Sequence, residues 1–354
     1  MIARAAAEAA FHRAVAENPA AAGVAAANIR DATIGIAVGK AALAMARAAG
    51  SIARGLAVTP HGAKVMAGEL PVGWAHVTAS HPEPDDASVR AGAAVRALVA
   101  SAGADDVVLA LISGGASALI EQPRVPLAEF RARVHAVMAS GASIAELNAV
   151  RAALSELKGG RLARACAGRM VTLVASDVVG DPLDVIGSGP TIAPERVRDR
   201  AVLVAPLSAF AAIVARELGL PLREPALIGD VADAARALAA EQGAFVAYGE
   251  PTLRVPADHG EGGRAQQLAL LLARELRGTG RSALVAGSDG IDGPAPGGRP
   301  APAGAFVDGA TWDAVTDPAS ALAHCDAGRA LAQIGALFVT GPTGVNHADV
   351  VIVG

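Results

Sequence analysis

Residues 107–120, V-V-L-A-L-I-S-G-G-A-S-A-L-I, constrain the fold more strongly than any other stretch of the chain. The apolar run that opens this segment is too short to span a membrane, and it ends abruptly at a serine and two glycines. Such a pattern predicts a strand buried on both faces of a sheet and followed by a tight loop. Because Gly114 and Gly115 lack a Cβ, backbone N–H groups in this loop can converge on an anion such as phosphate. From this segment alone, the alternative of a strand-to-helix turn that binds no ligand stays open.

The composition favours a two-domain α/β protein. The chain has 354 residues, of which 53% are hydrophobic and only 3% aromatic, so alanine, valine and leucine must form most of the core. The net charge is −4 and the basic residues are scattered, which argues against a nucleic-acid or anionic-membrane partner. Two cysteines far apart in sequence provide no disulfide framework.

The sequence gives no indication of membrane insertion or export. No segment reaches the ~20 uncharged apolar residues that a membrane helix needs. Residues 1–15 contain three charged side chains where a signal peptide would have an uninterrupted apolar core. We therefore expect a soluble, cytoplasmic protein with no membrane partner.

Strands and helices alternate with short connections along the first half of the chain, which is typical of a mainly parallel sheet. Several of the predicted strands are followed by polar or glycine-rich loops, where sites are commonly formed. Residues 221–229 contain two prolines and lack a clear periodicity. They predict a boundary between a domain at 1–225 and a second domain at 226–354.

Two basic residues occupy unusual positions at predicted helix starts. The segment 35–41, G-I-A-V-G-K-A, resembles a P-loop but is one residue short, and Ala41 stands where a Mg²⁺-binding serine or threonine would be. A lysine at a helix N-terminus is disfavoured by the helix dipole, so an anionic ligand beside Lys40 would remove the conflict. Arg264 follows two glycines at another helix start, and its planar guanidinium suits a carboxylate or phosphoryl group.

Four aspartates lie in glycine-rich loops that follow predicted strands, where they could hold Mg²⁺ or accept a proton. They are Asp177, Asp181, Asp289 and Asp292. For each of them separately, capping of its own turn is the commoner role of an aspartate beside a glycine. His81 also lies in a site-like loop, with packing within that loop as the alternative.

Other common chemistries lack their sequence signatures. A predicted strand is nowhere followed by G-x-G-x-x-G with an acid about 20 residues later, as a nicotinamide site would need. The chain also contains neither a G-x-S-x-G elbow nor an H-E-x-x-H motif. A hydrolase triad and a zinc enzyme are therefore not favoured.

Eight segments in order along the chain carry a family resemblance. They are V-G-K-A-A at 38–42, S-H-P-E-P-D at 80–85, L-I-S-G-G-A-S-A-L at 111–119, L-N-A-V-R-A-A-L-S-E-L-K-G-G-R-L-A at 147–163, S-D-V-V-G-D-P-L-D-V-I-G-S-G-P-T at 176–191, G-G-R-A-Q-Q-L-A-L at 262–270, G-S-D-G-I-D-G-P at 287–294 and T-G-P-T-G-V-N at 340–346. Together they resemble the glycerate 2-kinase family, whose C-terminal part is called the MOFRL domain. Members often carry the label hydroxypyruvate reductase.

The resemblance implies two Rossmann-like three-layer α/β domains with mainly parallel sheets and an interdomain cleft. Residues 1–225 would be the glycerate kinase domain and residues 226–354 the MOFRL domain. The implied reaction is ATP- and Mg²⁺-dependent phosphorylation of D-glycerate at its 2-hydroxyl, which gives 2-phosphoglycerate and ADP. An NAD(P)H-dependent hydroxypyruvate reductase and a non-catalytic protein that binds a phosphorylated acid remain as alternatives. A homodimer is left open.

The resemblance also implies that Lys40 and Arg264 are active-site residues, in agreement with the charge argument above. We add Asp177 and Asp289 as catalytic candidates and Asp177, Asp181 and Asp289 as candidate ligands of Mg²⁺. The residues predicted to bind ATP are Ser113, Gly114, Gly115, Ala116, Ser117, Gly187, Ser188 and Gly189. The residues predicted to contact the substrate are Ser80, His81, Asn148, Lys158 and Asn346.

The chain departs from the family pattern at a few positions. Ala116 replaces a usual third glycine, and its Cβ strongly favours negative φ at that point of the loop. Ala265 and Gln267 replace an asparagine and a glutamate beside Arg264, which puts substrate contacts there in doubt. The proline- and glycine-rich stretch 295–302 is longer than the family pattern.

Overall fold

A computed structural model describes residues 1–63, 69–141, 144–294 and 300–354, so most of the stretch 295–302 lies outside the description. The chain forms two compact units. The first unit is Pro19–Pro206, and the second unit combines Met1–Asn18 with Leu207–Gly354. Within the described residues, no helix is both long enough and apolar enough to cross a membrane.

The structural division differs from the predicted boundary between residues 225 and 226. Helix α1 (Arg4–Glu17) packs on α9 (Ala209–Leu218) in the second unit. The ring of Phe11 lies edge-on to the rings of Phe210 and Phe338, with centroid distances of 5.0 and 5.1 Å. Sequence pattern did not indicate this packing because the partners of Phe11 lie about 200 residues or more further along the chain.

The first unit is built on a six-stranded parallel sheet with the strand order β3-β2-β1-β4-β5-β6. Its strands are β1 (Ile34–Val38), β2 (Arg54–Pro60), β3 (Trp74–Ala79), β4 (Val107–Ile112), β5 (Arg169–Ala175) and β6 (Arg200–Ala205). Its helices are α2 (Pro19–Ala27), α3 (Ala42–Ala49), α4 (Asp86–Ala100), α5 (Ala116–Leu119), α6 (Leu127–Ala139), α7 (Ile144–Ala153) and α8 (Arg161–Arg164). A 3₁₀ turn at Ile186–Ser188 follows β5.

Helices cover both faces of this sheet, so its central strands are apolar throughout. All six residues of β4 are buried, as the sequence predicted. Alternate residues of β1 and β4 belong to one buried cluster with the apolar residues of α4, while α2 and α3 pack against the sheet outside that cluster. The α/β fold class and the parallel arrangement are confirmed for this unit.

The second unit is also a three-layer α/β structure, but its sheet is antiparallel. The order is β10-β9-β8-β11-β7, and every neighbouring pair runs antiparallel. Its strands are β7 (Phe245–Gly249), β8 (Ser282–Gly287), β9 (Gly304–Asp308), β10 (Leu337–Phe338) and β11 (Asp349–Val353), and its further helices are α10 (Val231–Ala240), α11 (Arg264–Glu275), α12 (Thr311–Ala314), α13 (Pro318–Ala323) and α14 (Ala327–Gln333). Helices α1 and α9 cover one face, and α10 and α11 cover the other.

The expectation of a parallel sheet in this unit was therefore wrong. Strand β11 lies between β7 and β8 and is antiparallel to both. The described residues between β8 and β9 contain no helix that could serve as the crossover of a parallel connection. An apolar strand pattern specifies burial but not direction, so the sequence did not show this difference.

Candidate active site

The carboxyl ends of β1 and β4 meet at the centre of the first sheet. The chain leaves β1 towards β2 on one side and leaves β4 towards β5 on the other, which creates a crevice between the two loops. The backbone N–H of Lys40 donates to the carbonyl of Gly114 at 2.9 Å, and that of Ala41 donates to Ser113 Oγ at 3.2 Å. The structure thus brings Lys40 and the loop after β4 together.

Gly39 makes this close approach of the two loops possible. Its φ is +133°, and a Cβ on it would lie only 2.1 Å from Ser113 Oγ. The Ser113 side chain is fully buried and accepts a hydrogen bond from the backbone of Ala41. This hydroxyl therefore joins the loops, which differs from the phosphate contact predicted for Ser113.

Gly115 lies against two of the predicted site residues. Its φ is +86°, and a Cβ on it would lie 3.0 Å from Cδ2 of His81 and 3.6 Å from Cγ of Lys40. The imidazole of His81 and the aliphatic stem of Lys40 therefore flank the same glycine. Ala116 begins α5 without a positive φ, as its Cβ requires, but α5 is only four residues long. A helix this short contributes only a weak dipole at the loop.

Gly187, Ser188 and Gly189 form a second tight loop, with φ values of 62°, 63° and 56°. Ser117 Oγ lies 2.8 Å from Ser188 Oγ, and Ser188 Oγ donates to Asn148 Oδ1 at 3.0 Å. A hydrogen-bonded chain thus joins the loop after β4, this second loop and α7. The positive φ of Ser188 is unusual for a residue with a side chain, and strain of this kind is concentrated at functional sites.

These loops border a cavity of about 300 Å³ within the first unit. The predicted site residues that line it are His81, Gly115, Ser117, Asn148, Asp177, Gly187 and Ser188. Phe130, Arg131, Val134, His135, Met138, Arg151, Val178 and Val185 line it as well and were not assigned from the sequence. The cavity therefore collects residues from six stretches of the chain, 81–84, 115–118, 130–138, 148–151, 177–178 and 185–188.

Arg151 was not assigned a role from the sequence. It lies one turn after Asn148 on α7, and this spacing places both residues on one helix face. Burial lowers the pKa of the Arg151 guanidinium, while the negative charge of Glu121 opposes that shift. The i, i+3 spacing to Asn148 was the signal that could have identified Arg151 as a cavity residue.

Lys158 occupies a different position from the substrate contact predicted for it. Its side chain is 2% exposed, and Nζ donates to Glu121 Oε2 at 2.5 Å, to the Ser117 carbonyl at 2.8 Å and to the Ile120 carbonyl at 3.3 Å. Glu121 is fully buried and also accepts from Ser155 Oγ at 2.5 Å. Burial lowers the pKa of Lys158, and the charge of Glu121 opposes this. Lys158 thus supports the loop after β4 from inside the protein.

Several other predicted residues of the first unit are not among those that line the cavity. They are Ser80, Gly114, Ala116, Gly189 and Asp181. The carbonyl of Ser80 accepts a long hydrogen bond from Ser88 Oγ at 3.5 Å. Asp181 has a positive φ of 53°, and its backbone N–H donates to the carbonyl of Val178 at 3.0 Å. The backbone of Asp181 therefore closes a turn beside Asp177.

In the second unit, Arg264 is the first residue of α11, as predicted, and its guanidinium is held by Asp349. Nε donates to Asp349 Oδ2 at 2.7 Å and Nη2 donates to Asp349 Oδ1 at 3.0 Å, while Nη2 also contacts Glu250 Oε1 at 3.3 Å. Burial opposes ionisation, but the hydrogen bonds and charge of Asp349 outweigh it and raise the pKa of Arg264. Asp349 was missed, although a carboxylate opening an apolar strand was a visible signal.

Asp292 caps the N-terminus of α11. Its carboxylate accepts from the backbone N–H of Ala265 at 3.0 Å and of Gln266 at 2.8 Å. Burial, followed by the nearby charge of Asp349, raises the pKa of Asp292 to about 6, although these hydrogen bonds oppose the shift. The Asp292 carboxylate thus caps α11, the helix that begins with Arg264, and not the turn in which Asp292 itself lies.

Asp289 lies close to this group. The carboxylates of Asp289 and Asp349 each come within 3.4–3.5 Å of the position that a Cβ on Gly287 would occupy. The backbone N–H of Ile291 donates to Asp289 Oδ1 at 3.1 Å. Asn346 is buried in the loop that precedes β11. Asp289 and Asn346 therefore belong to the second unit, together with Arg264.

Ala265 and Gln267, the two departures from the family pattern beside Arg264, have their side chains inside the second unit. Ala265 is fully buried in the core that α11 forms with the sheet. Gln267 is 5% exposed, and its Nε2 donates to the carbonyl of Leu322 at 2.8 Å. Both side chains contact their own unit, so these departures act first on the packing of α11.

The strand order and the crevice define the first unit as a doubly wound α/β domain, and the candidate site lies at the point where the strand order reverses. The chain matches the model described as a domain of unknown function, DUF4147, over residues 1–210, and the MOFRL family model over residues 243–349. The D-glycerate 2-kinase of Thermotoga maritima is 35% identical, over 91% of this chain and 90% of its own length. The chain belongs to the glycerate 2-kinase family.

Further comparisons agree with this assignment. The crystal structure of a glycerate kinase from Thermotoga maritima superposes with a TM-score of 0.83 at 31% identity, covering 98% of each chain. A protein of Agrobacterium vitis named "Putative hydroxypyruvate reductase" is 35% identical, over 89% of this chain and 85% of its own length. Both labels predicted from the sequence segments thus occur among the relatives.

Proposed function

We propose that this protein transfers the γ-phosphoryl group of ATP to the 2-hydroxyl of D-glycerate, giving 2-phosphoglycerate and ADP. The names of the glycerate kinase relatives support the substrate. The observation that carries the proposal is the approach of Lys40 and His81 to Gly115 at the switch point of the sheet. A cation beside a glycine-rich loop in such a crevice suits a phosphorylated ligand.

The proposed step forms one bond from the 2-hydroxyl oxygen of glycerate to the γ-phosphorus and breaks the bond from that phosphorus to the β,γ-bridging oxygen. The hydroxyl proton passes to a carboxylate. Asp177 lines the cavity and is proposed as this base, with Asp289 of the second unit as the alternative. Lys40 would neutralise negative charge on the transferring group, because such transfers depend mainly on positioning and electrostatics.

Arg264 is proposed as a second charged group required for turnover. Its bidentate pairing with Asp349 fixes the orientation of the guanidinium, while its side chain remains 30% exposed. An oriented and partly exposed guanidinium can accept a further anionic group, either the glycerate carboxylate or a phosphoryl oxygen. Its contact with Glu250 at 3.3 Å lies at the long end of hydrogen-bond geometry.

Mg²⁺ is proposed to bind with the nucleotide and to neutralise charge on its phosphates. Within the described parts of the chain, no group of three or more His, Cys, Asp or Glu side chains could hold a metal alone. Mg²⁺ commonly uses one or two carboxylates together with substrate phosphates and water, and the residues present fit that mode. The candidate ligands are Asp177 and Asp181 of the first unit and, separately, Asp289 of the second unit, and Asp177 lines the cavity.

The proposal is tested by incubating the protein with D-glycerate, ATP and Mg²⁺ and identifying the product by NMR. We expect 2-phosphoglycerate, and the appearance of 3-phosphoglycerate would refute the proposed regiochemistry. Lys40→Ala and Arg264→Ala should each lower kcat/KM by at least ~100-fold while the fold is retained. Arg277→Ala, which removes an exposed ion pair with Asp313, is the matched control and should leave turnover unchanged.

A hydroxypyruvate reductase is the second candidate, because the strand order of the first sheet is also that of dinucleotide-binding domains. The loop after β1 lacks the glycine fingerprint of such domains. This candidate predicts NAD(P)H oxidation by hydroxypyruvate without ATP. Binding of a phosphorylated acid with no turnover in either assay would favour the non-catalytic alternative.

A further inference from the structure

The cavity of the first unit has an apolar wall formed by helix α6. Phe130 and Val134 are buried there and pack with Leu147 of α7, so the two helices form a hairpin with its own small core. Met138, one turn further along α6, is 55% exposed and also lines the cavity. Two polar residues of the same helix, Arg131 and His135, also line the cavity, and both bond to residues 83 and 84 of the neighbouring loop.

Another part of the cavity is polar, and its charged lining residues include the carboxylate of Asp177 as well as a cation. Gly115, Ser117 and Ser188 line it, and Lys40 and His81 lie beside Gly115. Arg151 adds a cation near Asn148, which bonds to Ser188. Backbone amides, hydroxyls and cations of this kind suit phosphate groups.

The loop 81–84 connects the two parts. It begins at His81, next to Gly115, and reaches α6 at its other end. There Arg131 Nε donates to the carbonyl of Pro84 at 2.6 Å, and His135 Nε2 lies 2.8 Å from Glu83 Oε1. One continuous cavity therefore runs from Gly115, beside Lys40 and His81, to helix α6.

The size and polarity of this cavity fit a larger ligand than glycerate. Its volume of about 300 Å³ falls at the lower end of the range for sites that enclose drug-sized molecules. A three-carbon acid carries a polar group on every carbon, and an apolar wall would leave its hydroxyls without partners. A flat aromatic base, in contrast, gains free energy by packing against Phe130, Val134 and Met138.

We propose that the cavity under the α6–α7 hairpin binds the nucleoside of the phosphoryl donor, with its base against α6 and its phosphates towards Gly115 and Lys40. This assignment rests on the proposed kinase function and specifies which part of the nucleotide the first unit recognises. The acid substrate then lies outside the apolar part of the cavity.

The test introduces bulk into the apolar wall and measures the two ligands separately. Val134→Phe and Met138→Trp both add an aromatic ring at the cavity lining, and Met138 is exposed enough to be replaced without disturbing the core. Ala132→Trp, on the exposed face of the same helix, is the matched control. Circular dichroism establishes whether each variant is folded. If Val134→Phe does not fold, the result with Met138→Trp alone tests the inference.

The affinity for ADP·Mg²⁺ is measured by titration calorimetry. The KM for D-glycerate is measured from initial rates at saturating ATP. We expect the Kd for ADP to rise at least ~10-fold in the cavity variants, to stay within ~2-fold in the control, and the KM for glycerate to change less than ~3-fold. An unchanged Kd for ADP in Met138→Trp overturns the inference. If the KM for glycerate rises in the same variant, the acid and not the nucleoside occupies the cavity. Wild-type protein that binds ADP but forms no phosphoglycerate contradicts the kinase proposal instead.

Discussion

Replacing Lys158 by methionine is predicted to destabilise the first unit strongly. Methionine keeps an unbranched apolar stem but removes the cation that Nζ places against Glu121 and the carbonyls of Ser117 and Ile120. Glu121 is fully buried, so its carboxylate would lose its counter-ion in a place that water does not reach. Breaking a buried ion pair in this way costs about 3–5 kcal/mol.

The loss can be measured in the first unit alone. The chain has two tryptophans, Trp74 in the first unit and Trp312 in the second. In a Trp312→Phe background, tryptophan fluorescence therefore reports the first unit, where the indole of Trp74 donates to the carbonyl of Gly50 at 2.9 Å. Urea titrations with and without Lys158→Met then give the difference in unfolding free energy.

Pairing Lys158→Met with Glu121→Gln serves as the internal control. The double variant removes both charges, so it should recover part of the stability lost in Lys158→Met. A loss below about 1 kcal/mol in Lys158→Met would show that the buried pair does not support the loop. A double variant no more stable than Lys158→Met would refute the explanation based on an unpaired carboxylate.

Three further predictions follow from single contacts. Folding raises the pKa of Asp292 from 3.8 to about 6, so its contribution to stability is full below pH 3.8 and is lost as the pH rises through about 6. Asp292→Asn should therefore flatten the pH dependence of the unfolding free energy between those two pH values. Gly39→Ala should destabilise more than Gly50→Ala, because a Cβ on Gly39 meets Ser113 Oγ at 2.1 Å whereas one on Gly50 meets nothing within 4 Å; equal losses in thermal melts would contradict this. Ala116→Gly should cost about 1 kcal/mol in urea unfolding through lost packing at a buried helix position, and a gain in stability would oppose it.

Local sequence pattern was sufficient for the features that depend on local chemistry. The burial of β4, the turn at Gly39 and Lys40, and the start of α11 at Arg264 each follow from residues adjacent in the chain. Family resemblance then indicated which of these loops belong together. The contact of Lys40 with the loop after β4 agrees with that grouping.

The features that sequence reasoning missed depend on partners that are distant in the chain. Lys158 was predicted to contact the substrate because its counter-ion Glu121, 37 positions earlier in the chain, was not recognised from the sequence. Arg264 and Asp349 are 85 positions apart, and their pairing depends on β11 lying between β7 and β8. Charge type and spacing predict that a residue needs a partner, but only the fold determines which partner it has.

Ala116 shows the same distinction within a single loop. Sequence reasoning concerned its φ, which is compatible with the start of α5. The structure adds a spatial condition, since a Cβ on Gly187 would approach the Cβ of Ala116 at 3.1 Å. The second loop has Gly187 at the position that faces the methyl group of Ala116. Because Gly187 has no Cβ, there is room for the Cβ of Ala116. The departure from the family pattern therefore preserves the contact between the two loops that border the proposed nucleotide cavity.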